Sequence, residues 1–518
     1  MIVIGAGVAG LSAAIDLAGQ GLAVTVLERA ATVGGKLHQH SIGGAHIDAG
    51  PTVFTLRRVF DALFADAGTT LEQHLTLQKA DVLARHAWDD GTALDLFADP
   101  ARSADAIAAF AGPHEADAFR RFCARARAVH ATLDQAFMHA ADPSPLSLIR
   151  ASGLSGLGQL WRIAPFSTLW SALGRSFADP RLRQLYARYA TYSGSSPFLA
   201  PATLMLIADV EQQGVWLIDG GMQRLADALA GLALRRGAAL RCNAHVAAVS
   251  VQASRANGVT LSTGEFLPAD QVLVTADASA LTAGLLGPAV AGAVPRQPRS
   301  GRSLSAVTWA IAGRASGFPL ARHTVFFSPD YRREFDDILH HRRLPFDPTV
   351  YVCAQDRDAA GHRSTDGPER LFCLVNAPAT GDRHRLTQAE LAQCARTTFA
   401  RLARCGLTID RTEQTTVTTT PEIFARMFPG TGGALYGPAM HGTMAAFQRP
   451  RATTAIPGLY LAGGSTHPGP GVPMAALSGR MAAQRLLTDL ASTSRSHTVA
   501  MPGGMSMRSA MTDSTASY

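Results

Sequence analysis

Met1-Ile2-Val3-Ile4-Gly5-Ala6-Gly7-Val8-Ala9-Gly10-Leu11 opens the chain. The β-branched run Ile2-Val3-Ile4 has the composition of a buried strand, and from Leu11 the apolar positions Leu11, Ala14, Ile15 and Ala18 return at helical spacing. Between strand and helix, Gly5, Gly7 and Gly10 stand at G-x-G-x-x-G spacing. Gly21 closes the helix, residues 23–27 form a second strand, and Glu28 ends it. Strand, glycine turn, helix, strand and acid, in that order, predict a dinucleotide-binding unit. Gly5 permits the tight turn, Gly7 lets the backbone approach a pyrophosphate, and Gly10 lets the helix pack closely on the strand. The helix N-terminus adds free N–H groups and about half a positive charge. Glu28 is placed to accept hydrogen bonds from an adenosine ribose. Without that acid at about 20 residues' offset, the same glycines would describe a loop of an ordinary α/β protein. Few residues precede Gly5, a short strand by usual standards, so a start upstream of Met1 is an open expectation.

Reading outward, Arg29-Ala30-Ala31-Thr32-Val33-Gly34-Gly35-Lys36 comes next, then Asp48-Ala49-Gly50-Pro51-Thr52. A nicotinamide-binding unit has no need of a second glycine pair there. Far downstream, Gly458-Leu459-Tyr460-Leu461-Ala462-Gly463-Gly464 forms another strand and turn. It runs through Ser465-Thr466-His467-Pro468-Gly469-Pro470-Gly471-Val472-Pro473-Met474 into a helix ending near Leu490. These segments resemble flavoproteins of the amine-oxidase and carotene-desaturase superfamily. The resemblance implies FAD as cofactor, with Gly5, Gly7, Gly10 and Glu28 joined by Gly34, Gly35 and Lys36 where the chain passes the diphosphate. Gly50, Pro51 and Thr52 extend that set, and Val246 falls where such proteins contact adenine through backbone groups. Gly463, Gly464, Val472, Pro473 and Met474 are expected to cover the ribityl chain and to aim a helix N-terminus at the flavin pyrimidine edge. A helix end there stabilises negative charge on the reduced ring.

No second fingerprint of this kind follows a strand, and the glycine-rich stretch 153–158 sits in a helix-like context. Electrons are therefore expected to leave the flavin for a diffusible acceptor, oxygen or a quinone. The remaining patterns predict an α/β fold: a Rossmann-type FAD-binding domain interleaved with a mixed-sheet substrate domain and a helical, membrane-associated region. The FAD-binding domain is expected over 1–72, 214–284 and 420–491, and the substrate domain over 73–103 and 285–419. A helical lid or membrane-contacting region fills 104–213, and a disordered tail 492–518. Strands are predicted at 215–218, 239–242, 246–251, 258–261 and 271–275, with a helix over 223–235. Alternating segments at 303–312, 324–327, 349–354 and 370–376 predict a separate sheet roofing the substrate channel.

Composition bounds the class. The chain has 518 residues, 47% hydrophobic and 17% charged, enough for two or three domains with sizeable cores. Its formal charge of +7 is spread along the chain, with no basic run longer than Arg342-Arg343, which argues against nucleic acid as a partner. An anionic membrane surface or a merely solvated exterior accounts for it instead. Six cysteines lie apart, with no CxxC pair and no histidine at zinc spacing, which suits a reducing compartment. No stretch reaches the ~18 apolar residues of a spanning helix, and the apolar N-terminus lacks the basic start of a signal peptide. Within the helical region, Leu157, Leu160, Trp161 and Ala164, then Phe166, Leu169, Trp170 and Leu173, form apolar faces flanked by Arg150, Arg162 and Arg175. Such a pattern over 154–175 fits an interfacial membrane helix and fits a core helix of a lid equally well.

With these motifs and Asp219-Gly220-Gly221 in view, the chain resembles bacterial carotenoid desaturases from Met1 to about Leu490. Gly50-Pro51-Thr52-Val53-Phe54-Thr55-Leu56-Arg57, Ala84-Arg85-His86-Ala87-Trp88, Arg188-Tyr189-Ala190-Thr191-Tyr192 and Pro473-Met474-Ala475-Ala476-Leu477-Ser478-Gly479-Arg480 are most similar to the 1-hydroxycarotenoid 3,4-desaturases. That resemblance implies a peripheral enzyme on the cytoplasmic side of the inner membrane, taking acyclic carotenoids from the bilayer. It implies no defined protein base. Asp48 and His467 are the candidates the sequence offers, each with a structural role as its alternative, and Thr308 is a possible polar partner for substrate oxygen. The competing readings are a phytoene desaturase or other carotenoid desaturase or isomerase, an amine oxidase, and a flavin-free prenyl-lipid chaperone.

Overall fold

The glycine unit folds around a parallel sheet, as its β-branched strands require. In the computed structural model, which describes residues 1–144, 167–363 and 367–499, Ile2–Ile4 is the centre of a five-stranded sheet. The order is Leu459–Leu461, Val272–Val274, Ile2–Ile4, Thr25–Leu27, Ala239–Arg241, all parallel. Neighbours in this sheet come from distant parts of the chain. The helix Val8–Gly19 is buried almost throughout because it lies between the sheet and a second helix, Val472–Val499. Contact between the two is close enough that a Cβ at Gly479 would stand 2.1 Å from the Ala9 carbonyl oxygen. Leu11, Ile15 and Leu17 are at most 2% exposed there, each contributing about 1.5–3 kcal/mol by leaving water.

A second, eight-stranded mixed sheet stands apart from the first. Its long strand Ser305–Gly317 pairs antiparallel with Glu369–Ala377, followed by Val350–Ala354 and His323–Phe326. The last of these pairs parallel with Val82–Ala87, which turns back as Ala93–Phe97. Leu407–Asp410 and Thr416–Thr419 both add to Ser305–Gly317. Helices Pro100–Ala111, Pro113–Leu133, Leu169–Ser176, Pro180–Ala187 and Leu206–Gln213 pack together against one edge of this sheet, sharing a core with Leu83, Leu94, Leu96 and Val325 of its strands.

The strand expected at 215–218 is Trp216–Ile218, and it pairs antiparallel with Leu77–Lys79. Val246–Gln252 and Arg255–Leu261 form a three-stranded antiparallel sheet with Phe266–Pro268. The tail expected from 492 begins instead as helix, since Val472–Val499 carries past Leu490; residues 500–518 lie outside the described residues. The segment 145–166, with Leu157, Leu160, Trp161, Ala164 and the 153–158 glycines, also lies outside them. In the described half of the 154–175 pattern, Leu169 and Leu173 are fully buried among the helices. Trp170 packs against Phe198 with ring centroids 4.8 Å apart and the rings tilted by 50°. That face is core. No helix among the described residues is long and apolar enough to cross a membrane.

Candidate active site

One cavity of about 1330 Å³ runs from the parallel sheet to the mixed sheet. Its first part is walled by the sequence motifs: Gly5, Gly7, Glu28, Gly34, Gly35, Lys36, Gly50, Pro51, Thr52, Val246, Gly463, Gly464, Val472, Pro473 and Met474 all line it. Gly10 does not. A Cβ there would come within 2.0 Å of the Gly5 carbonyl oxygen, so Gly10 serves the packing of helix on strand from beneath.

The glycines divide by what surrounds them. Gly5 has φ +104, a left-handed conformation that L side chains rarely adopt. Gly7 has an ordinary extended backbone (φ −76, ψ 176), and a Cβ on it would find no protein atom nearer than the Gly34 carbonyl oxygen at 3.9 Å. The space in front of Gly7 belongs to the cavity. Gly7 also caps the helix Val8–Gly19 without any side-chain hydrogen bond, leaving the N-terminal amides open to a phosphate.

Glu28 is buried, and its carboxylate holds the turn: the Ala6 amide donates to Oε2 and the Ala30 amide to Oε1, each at 2.8 Å. Each oxygen keeps a further lone pair for a hydroxyl in the cavity. Lys36 donates from Nζ to the Leu435 carbonyl at 2.5 Å and sits over the Phe428 ring; burial lowers its pKa. These free N–H groups, the open face of Gly7 and the acid at its side fit a phosphate-bearing nucleotide cofactor.

Asp48 does not border the cavity. Its Oδ2 accepts from the Met222 amide at 2.6 Å, Oδ1 accepts from Gln39 at 2.9 Å, and its backbone exchanges two hydrogen bonds with Gln355. It pins the turn at Gly221, where a Cβ would lie 2.4 Å from Oδ2. His467 is also off the cavity wall, buried edge-on against Phe137 at 4.9 Å, and burial pushes its pKa down to about 4. Neither candidate faces the space where substrate would react.

Sequence reasoning assigned no role to several groups that the fold brings here. Arg449 donates to the carbonyls of Gly464 (3.0 Å) and Pro438 (2.7 Å), fastening the Gly463-Gly464 turn; burial lowers its pKa to about 10. Ser478 Oγ accepts from the Gly463 amide at 3.0 Å. Toward the mixed sheet, Thr52 Oγ1, Tyr351 Oη and His323 Nδ1 form a chain with 2.7 Å links. Burial, with Arg322 and Arg188 nearby, drives the His323 pKa to about 3, so it is a neutral imidazole. Thr308 lines this part of the cavity, as do Arg188, Tyr192 and Glu211. Much of the rest of that wall is apolar, including Leu204, Ile207, Val325, Phe372 and Leu374, with Thr349 and Asn376 among its polar exceptions. Such a tunnel suits a long hydrophobic molecule carrying little polarity.

A model of the family described as flavin containing amine oxidoreductase matches residues 8–487. Hydroxyneurosporene desaturase of Rubrivivax gelatinosus is 53% identical over 513 residues, covering 99% of this chain and 98% of the relative. The protein of the same name from Cereibacter sphaeroides is 47% identical, covering 96% and 99%. A 1-hydroxycarotenoid 3,4-desaturase of a Flavobacterium species is 30% identical, covering 93% and 98%. Among solved structures, putrescine oxidase bound to putrescine has a TM-score of 0.56 at 14% identity, covering 94% of this chain and 98% of its own. That likeness concerns the fold alone.

Proposed function

The chain belongs to the flavin-containing amine oxidoreductases, in their bacterial carotenoid oxidoreductase branch, and from that premise we propose that it is an FAD-dependent carotenoid 3,4-desaturase. Its substrate is an acyclic carotenoid with a tertiary hydroxyl or methoxyl at C1. The reading rests above all on the 53% identity, sustained over nearly the whole chain, to a hydroxyneurosporene desaturase.

When bound, FAD would supply the hydride acceptor, with oxygen or a quinone as the final oxidant. The chain's own groups do the rest. Gly7, the helix end behind it and Glu28 hold the dinucleotide; Arg449 and Ser478 fix the turn at Gly463-Gly464. The apolar wall excludes water and keeps the polyene extended, so that positive charge developing at the reacting carbon delocalises into its conjugated system. Each turnover removes one hydride and one proton from adjacent carbons. Asp48 is not placed to take that proton, because its carboxylate stands off the cavity wall and is turned to the Met222 and Gln39 donors.

We place the enzyme peripherally on the cytoplasmic side of the inner membrane, drawing substrate from the bilayer. Met444, which is exposed and also lines the cavity, supplies an apolar contact at its rim. The function is tested by assaying purified flavoprotein in liposomes against 1-hydroxyneurosporene, neurosporene and phytoene, following the absorption shift. Preferred oxidation of the hydroxylated substrate is expected. Phytoene desaturated equally well would replace this reading with that of a phytoene desaturase. Flotation with anionic liposomes tests the membrane placement, and a chain that stays at the bottom of the gradient would refute it.

A further inference from the structure

Arg188 lies in the 3-10 turn Arg188–Ser193, is 6% exposed and borders the cavity. It donates from Nη1 to the Tyr192 hydroxyl. Among the described residues, its Nε and Nη2 have no hydrogen-bond partner. The nearest carboxylate oxygen, Glu211 Oε1, stands 4.0 Å from Nη2, beyond hydrogen-bonding reach. Both Glu211 oxygens are engaged elsewhere, Oε1 by Tyr192 and Oε2 by Tyr189, each at 2.7 Å. Burial opposes charge on Arg188, yet Tyr192 and Glu211 outweigh it and raise its pKa. The result is a cation held beside the Tyr189 and Tyr192 rings, with two donor nitrogens, Nε and Nη2, unpaired in the wall of a mainly apolar tunnel. Unmade hydrogen bonds to a buried charged group are costly; the Tyr189 and Tyr192 rings, 5.5 and 5.0 Å away, and the Glu211 charge offset the cation but give Nε and Nη2 no acceptor.

We propose that Arg188 donates a hydrogen bond to the oxygen on C1 of the carotenoid and thereby sets which bond of the polyene is oxidised. The proposal rests on the function given above and names the group that recognises its substrate. A polyene sliding in an apolar tube has no register of its own, since each repeat of the chain looks like the next. One fixed donor at a fixed depth supplies it. C1 and the C3–C4 bond are so near that the oxygen lies roughly 4 Å from the reacting carbons, so the anchor belongs in the same chamber as the reaction. Arg188 shares its chamber with Thr52 and Tyr351. Glu211 balances the guanidinium charge, which selects an uncharged oxygen over a carboxylate. Because arginine only donates, a methyl ether is accepted as readily as an alcohol. A hydrocarbon end leaves the donors unpaired and is rejected.

The test uses full-length, flavin-loaded protein in liposomes with 1-hydroxyneurosporene, 1-methoxyneurosporene and neurosporene. In the natural protein both oxygenated substrates are expected to be preferred over neurosporene in kcat/KM. Arg188→Met is expected to lower that preference by about 100-fold, with Arg188→Lys restoring part of it. Tyr192→Phe is the second variant, should the first fail to fold. It frees Glu211 to draw Arg188 into an ion pair, and about a tenfold loss of preference is expected. A general packing defect would slow all three substrates together and leave the ratio alone. A folded Arg188→Met or Tyr192→Phe protein that keeps the natural ratio overturns the anchor while leaving the function standing. Absence of any preference in the natural protein overturns both.

Discussion

At the scale of single residues, the glycine fingerprint separates into positions the fold needs and positions the cofactor needs. Gly7 is of the second kind: its backbone is ordinary and its missing Cβ would meet only open cavity. Gly7→Val should therefore fold with a melting temperature close to that of the natural protein freed of flavin, yet purify colourless. Its affinity for FAD should fall at least tenfold, about 1.4 kcal/mol, as read by flavin fluorescence titration. Retention of normal flavin would remove Gly7 from the diphosphate site. Glu28→Gln tests the neighbouring group differently. An amide nitrogen in place of either oxygen would turn a donor toward the Ala6 or Ala30 N–H. A loss of about 1–3 kcal/mol is expected, seen both in FAD affinity and as a lower melting temperature of the cofactor-free chain. An effect on affinity alone would mean that the carboxylate serves the ribose and not the turn.

At the scale of elements, Asp48 ties the Ala45–Asp48 strand to the start of the Gln223–Arg235 helix through the Met222 amide. Asp48→Asn should lower stability by about 1–2 kcal/mol in urea unfolding while flavin-loaded molecules keep reducing their flavin with substrate within a few-fold of the natural rate. A loss of a thousandfold in single-turnover reduction would restore Asp48 as the base. Legibility in the sequence follows the same divide between local and distant. The opening unit could be read because its strand, turn, helix and acid occupy one continuous stretch. The hairpin of Val82–Ala87 and Ala93–Phe97 was not foreseen as strands, because most residues of the first strand are buried on both faces and show no alternation. Asp90-Gly91 in its turn was the usable signal, as was Gly43-Gly44 between Gln39–Ile42 and Ala45–Asp48. The helix beyond Leu490 was obscured by serines and threonines of low helix propensity. The polar cage was illegible for a further reason. Arg188, Glu211, His323 and Tyr351 come from different elements far apart in the chain, and only the packing of helices on the mixed sheet assembles them.

For the whole molecule, buried histidines set the response to acid. Burial lowers the pKa of His86 well below its usual value, that of His323 to about 3, and those of His441 and His467 to about 4. Each is neutral when folded and takes up a proton when unfolded below about pH 6.5. Their contribution to stability is complete above that pH and is lost as pH falls toward the folded values, at up to about 1.4 kcal/mol per unit for each group. Glu334 pulls the other way, since burial raises its pKa to about 7 and its contribution is lost as pH rises through that value. The lowered histidines, with His38 and His40 added to these four, outnumber it and make the net slope positive, so urea midpoints should drop from pH 7 to 5. A flat or inverted profile would show that these imidazoles are solvated. The arrangement of the parallel sheet carries a consequence for synthesis. Val272–Val274 waits for Leu459–Leu461 as its outer neighbour. At about 5–20 residues per second, a ribosome needs roughly 10–40 s to make the intervening stretch. Throughout that interval the nascent chain presents a bare, apolar strand edge of the sort that invites aggregation. Flavin capture must await synthesis of the Gly463-Gly464 turn, so the emerging polypeptide is expected to need chaperone protection throughout that interval.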